Sequence, residues 1–417
     1  MNRIEKAVYD LLKSNPTLKG KVRDLYQSLF DLLPDRENYF QNELKVQEGF
    51  YYGFHDLSPI NGNLMLANKL KISLHMPQKG ENLGVGYWNL SDNKFTEIGE
   101  TLTWNYHKGC RLQWLGEGSD SMIFNDLVNG TAGSRIFSIT NNSFRELEYQ
   151  IDTVSRDGKF ATSFSHERLE KYMPGYGYAY GDQPFLEEKK PSQTGLFLID
   201  IKNNSRKLII SLETLASIKP EKSMEHAKHF VTHTEFSPDG TKIAFLHRWT
   251  FDDPNQRFSR LITCSLDGND ICLSPTSGMV SHYVWSKRHG ILAYCQINDV
   301  DGHYIFDNYK MEKYKHVAKA LNSDGHQSYI EGTDYFVTDT YPDKRRYAKI
   351  YLVNIKTDEI KLLVDVKSPK KFQTRDPRFN IACDLHPRVS PCGNILCFDS
   401  VHTGKRSLCT MQLGDKQ

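Results

Sequence analysis

The spacing of apolar positions changes character once along the chain. From residue 3 to 33 they recur at helical intervals: Ile4, Val8, Leu11 and Leu12, then Val22, Leu25, Leu29 and Leu32, with Pro16 dividing two helices. From about residue 45 the apolar runs are of strand length, and 309–321 is the main stretch that also admits a helical reading. These runs belong to a repeat: a Ser-Pro-x-Gly-like turn, a strand, a short gap and a second strand. Clear copies are "LSPINGNLMLANKL" (57–70), "VSRDGKFATSFSH" (154–166), "FSPDGTKIAFLHRW" (236–249) and "VSPCGNILCFDSVH" (389–402). Weaker ones are "QWLGEGSDSMIFND" (113–126), "VWSKRHGILAYCQI" (284–297) and "YIEGTDYFVTDTYP" (329–342). A third strand follows each, as in "GLFLIDI" (195–201) or "RSLCTMQL" (406–413).

Seven copies of a small antiparallel unit predict an all-β, seven-bladed β-propeller over residues 36–417, with a helical extension over 1–35. The last copy ends at Leu413 after three strands. An N-terminal strand within about 40–52 is therefore expected to complete that sheet and close the ring, which removes exposed edges.

Composition narrows the partners. The 53 basic and 51 acidic residues leave a net charge of +2, no basis for a nucleic-acid partner. Aromatics at 12% suit a β-rich or sugar-binding protein. The eight cysteines form no CxxC pair and read as small buried hydrophobes of a reducing compartment. Charges interrupt every apolar stretch at the N-terminus and no window is long enough to span a bilayer. The expectation is a soluble, cytoplasmic protein without a transmembrane segment. Lys13, Lys19, Lys21 and Arg23 on the N-terminal helices offer contact with a partner or a membrane surface, although packing on the main domain is the plainer reading.

The chemistry concentrates just ahead of the turns. His55, His233, His282, His326 and His386 each stand two to five residues before one, and Arg111 and Asp152 hold the corresponding place in the second and third copies. Innermost strands line a propeller's channel, so these sequence-distant positions are expected to converge on one funnel, with Asp56 and Asp384 nearby. A single histidine at a strand start is ordinarily a structural hydrogen-bonder; five at equivalent places form a candidate polar cluster. Several imidazoles with a carboxylate suit a divalent metal. An arginine at the same mouth clamps a carboxylate, and a histidine outside the ligand set can be a general base. Together these match proton abstraction α to a carboxylate with β-elimination. Arg248, Trp249, Asp339, Tyr341 and Lys344 in hairpin segments can reach over the funnel, and the Tyr- and Gly-rich insertion 163–184 reads as a lid.

The repeat layout and the closing "DLHPRVSPCGNILCFDSVHTGKRSLCTMQL" resemble the oligogalacturonate lyase family of cytoplasmic seven-bladed propellers, over about residues 50–415. Those enzymes cleave short uronate oligosaccharides by metal-assisted β-elimination. The resemblance implies His282 for a Thr-His manganese ligand and His386 for the second histidine of a His-Pro-His-Pro motif. Asp384 stands where that motif has its first histidine, nothing matches the family's glutamine ligand, and His233 falls on the proposed base. The expectation is an oligosaccharide lyase. It has His233 as base, Arg111 or Arg248 on the substrate carboxylate, and His282, His326, Asp384 and His386 around a divalent metal. Manganese is favoured by the resemblance, with calcium or zinc as alternatives. His55, Asp56, Asp152, Trp249 and Tyr341 are expected to contact sugar. The alternatives are a hydrolase or transferase of the same fold in cell-surface polysaccharide metabolism, or a non-catalytic propeller that binds glycan or protein.

Overall fold

A computed structural model describes residues 30, 33–53, 57–178, 180, 185–251, 256–307, 309–321, 323–374, 376 and 378–414. The helices expected over 3–33 lie almost wholly outside this set, as do His55 and Asp56. The described strands form seven antiparallel sheets, one per repeat, in chain order around a ring. Blade 4 shows the plan: Lys228–Phe236 is innermost, followed by Lys242–Thr250, Arg257–Ser265 and Cys272–Leu273. The segment 309–321 resolves as a strand, Tyr314–Val317, the outermost of blade 5 against Val300–Phe306.

The ring closes through the N-terminal strand, as the incomplete seventh repeat requires. Leu44–Glu48 pairs antiparallel with Ser407–Gln412, Leu44 opposite Met411 and Glu48 opposite Ser407. Tyr39–Phe40, just upstream, pairs with the outer strand Ile360–Lys367 of blade 6. One short segment thus binds two sheets before the chain enters blade 1 at Phe50–Tyr51. Apolar faces of neighbouring sheets meet between blades. Ala244 and Leu246 of blade 4, for example, pack with Trp285, Ile291 and Ala293 of blade 5.

Blade 3 departs from the plan. It has three strands, its inner position reduced to a single bridge from Val154 to Ala161. Its insertion carries a helix, His166–Tyr172, N-capped by Ser165, whose hydroxyl accepts from the Arg168 amide.

Buried carboxylates at the neck join one blade to the next. Asp399 in the second strand of blade 7 accepts from the amides of Tyr52 and Gly53 in blade 1, at 2.8 and 3.0 Å, and pairs with Arg388 at 2.9 Å. Arg388 and Asp399 are both almost wholly buried. Removing one partner leaves an uncompensated interior charge. Asp399→Ala is therefore expected to cost about 3–5 kcal/mol of stability in urea unfolding. Asp399→Asn, which keeps an acceptor, should lose less.

Candidate functional site

At the starts of the inner strands the backbone leaves regular β geometry. The blade 4 ladder slips between Thr232 and Glu235, and the blade 5 ladder between Val280 and His282. Arg111, His233 and His386 all occupy the left-handed region, with φ of 56°, 52° and 44°. Such residues persist where their surroundings hold them. The His386 amide donates to Asp339 Oδ2 at 2.7 Å, and the His233 carbonyl accepts from the Tyr283 hydroxyl.

These bends bring four of the expected histidines into a row. Ring centroids lie 5.9 Å apart for His233 and His282, 4.1 Å for His282 and His326, and 4.3 Å for His326 and His386. The row is electrostatically graded. Burial, followed by the charge of Arg248, holds His233 well below the usual imidazole range. Burial, with the charge of His326, lowers His282 to about 4. Burial opposes a charge on His326 as well, but Asp339 overrides it and raises the ring to about 9. Asp339 accepts from His326 Nδ1 through both oxygens at 3.0 Å and from the His326 amide at 2.6 Å. The row therefore has neutral members and one cation at neutral pH.

Over this row stands Arg248. It is buried, its guanidinium donates to the Ser281 carbonyl at 3.1 Å, and its Nε has no hydrogen-bond partner among the described residues. Burial, and then the neighbouring charge of Arg257, lowers it to about 9. Tyr341 presents its ring edge to His326 at 5.9 Å. Tyr176, from the insertion expected to form a lid, stacks on His107 at 4.4 Å. Glu170 fixes that loop by accepting from the amides of Gly175 at 2.9 Å and Gly177 at 3.1 Å. A side chain at Gly177 would strike the His166 carbonyl.

Other expected site residues do different work. Arg111 and Lys108 are committed to Asp152: Arg111 Nε lies 2.6 Å from its carbonyl and Lys108 Nζ 3.1 Å from its carboxylate. The remaining carboxylate oxygen accepts from the amide and hydroxyl of Thr234. Asp152 is fully buried, and this group ties blades 2, 3 and 4 together. Trp249 is also fully buried, stacked on Phe258 and packed with Met224 and Ala227. Strand alternation explains the contrast: Arg248 turns to the mouth, so Trp249 must turn away.

The four expected metal ligands do not form a cage. Lone pairs of imidazole nitrogens lie in the ring planes. The His282 and His326 ring planes are tilted by 40° and those of His326 and His386 by 30°. His326 is engaged with Asp339, and Asp384 Oδ2 lies 3.9 Å from His107 Nδ1. Among the described residues no group of three or more His, Cys, Asp or Glu side chains is arranged to hold a metal ion. The donor set as placed does not fit a bound cation.

Asp324, His107 and Tyr176 were not among the expected site residues, and Asp339 was expected only to reach over the funnel from a hairpin. Asp324 lies 3.4 Å from His282 Nδ1 and accepts from Ser281 at 2.6 Å. Asp339 had a signal: an Asn or Asp closes the apolar second strand in "MLAN", "IFN", "FVTD" and "LCFD", at Asn68, Asn125, Asp339 and Asp399.

Fold and site together define a seven-bladed propeller with a histidine row and a buried arginine at one channel mouth. No known family profile matches the sequence, and no curated protein sequence matches it. Among solved structures, the chain is similar to an oligogalacturonate lyase in complex with manganese. Identity is 14% and TM-score 0.62, covering 91% of this chain and 96% of that one. It is also similar to an oligogalacturonate lyase from Vibrio parahaemolyticus, at 12% identity and TM-score 0.58 with the same coverage. The tricorn protease matches at 11% identity and TM-score 0.50, over 91% of this chain and 34% of that one. At these identities the likeness is one of fold, and the propeller resemblance read from the sequence holds at that level.

The His326–Asp339 pair carries a pH dependence. Its folded value of about 9 lies above the ordinary imidazole value near 6.5. Its stabilisation is therefore full below about pH 6.5 and is lost as pH rises through about 9. The shift corresponds to up to about 3 kcal/mol. In denaturant titrations at pH 6 and pH 10, the wild type should lose that much more than Asp339→Asn, whose dependence over the interval should be nearly flat.

Proposed function

We propose that the chain is a carbohydrate-active lyase that cleaves uronate-containing oligosaccharides by β-elimination. The observation that carries this reading is Arg248. It is a buried guanidinium with an unanswered Nε, beside neutral His233 and His282 and under the phenols of Tyr176 and Tyr341. A desolvated, incompletely paired guanidinium favours a carboxylate. A neutral imidazole beside it suits the proton α to that carboxylate. The two aromatic rings suit a sugar face.

In the proposed step, Arg248 neutralises the uronate carboxylate and so stabilises the enediolate-like charge that develops. His233 takes the C5 proton. The C5–H electron pair becomes the C4=C5 double bond as the C4–O bond breaks, and the leaving glycosidic oxygen takes a proton from the His326 imidazolium. Environments that push two histidines' proton affinities apart make a base of one and an acid of the other. Manganese is bound by the similar lyase structure, but among the described residues no group of three or more His, Cys, Asp or Glu side chains is arranged to hold an ion, and no step runs through a metal.

With an oligogalacturonide panel, the reading predicts growth of the ultraviolet absorbance of an unsaturated uronate. His233→Asn should lower kcat/KM by about 10²–10⁴-fold. Arg248→Met should lower it by at least about 10²-fold and remove preference for free over methyl-esterified uronates. Reducing-end release without that absorbance would favour a hydrolase. Binding without turnover would favour a glycan-binding propeller. Activity is also expected to survive chelation; loss with EDTA and recovery with manganese would return charge neutralisation to a cation.

A further inference from the structure

The blade 3 insertion carries a tip, residues 174–178, that leans on the histidine mouth through one side chain and is tied from behind by another. Tyr176 stacks on His107 with ring planes 15° apart. Burial, then the charge of Asp384, raises its phenol to about 12, and Arg257 and Arg248 act on it in the opposite sense. Behind the tip, the half-buried Glu170 turns its carboxylate under the backbone. The Gly175 amide donates to Oε1 at 3.1 Å and to Oε2 at 2.9 Å, and the Gly177 amide donates to Oε2 at 3.1 Å. The packing is close on both sides. A Cβ on Gly177 would stand 2.0 Å from the His166 carbonyl oxygen, and one on Gly175 would stand 2.9 Å from the Asn380 Cβ, on the approach to blade 7. Asn105 holds the far end, donating to the Gly177 carbonyl at 2.9 Å.

An enclosed carboxylate is ordinarily paired with a cation. Glu170 makes no ion pair among the described residues, and what acts on it is burial and the amides of Gly177, Gly175 and Tyr176. On its own helix Arg168 is spent on the carbonyls of Phe185, Glu188 and His229, Lys171 pairs with Glu187, and Glu167 is a second buried acid. The tip brings the phenols of Tyr176 and Tyr178, and the approach to blade 7 brings the uncharged Asn380. Burial without a counter-charge favours the neutral acid and raises Glu170 from 4.5 to about 7. The tie survives protonation on Oε1, because Oε2 accepts from both glycines as a carbonyl oxygen can. A closed tip therefore holds the proton more tightly than an open, hydrated one. Its closure is fully favoured below about pH 4.5 and is lost as pH rises through about 7. We propose that Glu170 is a positioning residue and the tip a proton-operated gate. With Glu170 neutral, the tip seats Tyr176 on His107 and narrows the histidine mouth; with Glu170 ionised and hydrated, the tip withdraws and the mouth opens. The gate does not depend on the elimination reading.

The test is hydrogen–deuterium exchange of the full chain, read on peptides covering 174–178 and corrected for the intrinsic effect of pH. From pH 5.5 to pH 8.5 the protection of the tip should fall by about tenfold, while that of a blade strand such as Ser121–Val128 holds. Glu170→Gln, which keeps the acceptor and cannot ionise, should stay protected at both values. Gly177→Ala, whose side chain meets the helix backbone, should be unprotected at both. His107 gives a second readout, since Tyr176 covers it: at pH 8 diethyl pyrocarbonate should modify it faster in wild type than in Glu170→Gln. Equal tip protection of the wild type at both pH values overturns the proposal. So does a fall that Glu170→Gln reproduces, or one that the whole propeller shares. If Glu170→Gln fails to fold, Gly177→Ala carries the test, and a tip that keeps the wild-type pH dependence there overturns the gate.

Discussion

The structure depends on polar side chains that grip the backbone of a neighbouring blade. Asp399 holds the amides of Tyr52 and Gly53, Asp152 holds that of Thr234, and Asp339 holds that of His386 as well as that of His326 in its own blade. Inner strands converge at the channel, where their amides have no further strand to bond, and a buried amide left unpaired is costly. A short acceptor at the end of the next strand out solves this locally. Asn125 does so without charge, bonding both the amide and the carbonyl of Ile151 in blade 3 at 2.8 Å. The clamps also decide which residues have spare chemistry: Asp152 is used up by Lys108, Arg111 and Thr234 together.

Where the acceptor is a carboxylate beside a histidine, one structural device becomes an electrostatic one. Asp339 fixes two amides and at the same time makes His326 a cation. Its neighbour His282 feels that cation and is driven further toward neutrality, and His233, farther along, is kept neutral by burial and Arg248. A graded row of imidazoles therefore follows from the position of one aspartate and one arginine. The left-handed backbone at His233 and His386 belongs to the same economy, since the clamps and the Tyr283 hydroxyl hold those residues where a regular strand would not.

The fold was legible because its cause is periodic. Seven turns followed by strand-length apolar runs leave few alternatives, and the three-stranded last repeat required the closing strand found at Leu44–Glu48. The row of His233, His282, His326 and His386 was legible for the same reason: equivalent positions in a ring converge. What the histidines do was not, because roles depend on second partners that repeats do not encode. Asp152 and Arg111 hold ring positions yet neutralise each other, and nothing in "KGCRLQWL" or "QIDTVSRDG" announces that pairing. Trp249 looked like a sugar platform beside Arg248, but alternation can send only one of two adjacent strand residues to the mouth. A metal set depends on how the imidazole nitrogens are aimed, which sequence spacing does not carry; among the described residues no group of three or more His, Cys, Asp or Glu side chains is arranged to hold an ion.

A channel through a ring has two ends, and each inner strand contributes to both within a few residues. His282 and Trp285 share one strand, His326 immediately precedes the strand of Tyr329, and His233 is two residues from Glu235. One end gathers imidazoles and a guanidinium; the other gathers indoles and a carboxylate. The histidine end holds both signs, since Asp324 and Asp339 stand beside His282 and His326, so its character is set by pairing and not by one net charge.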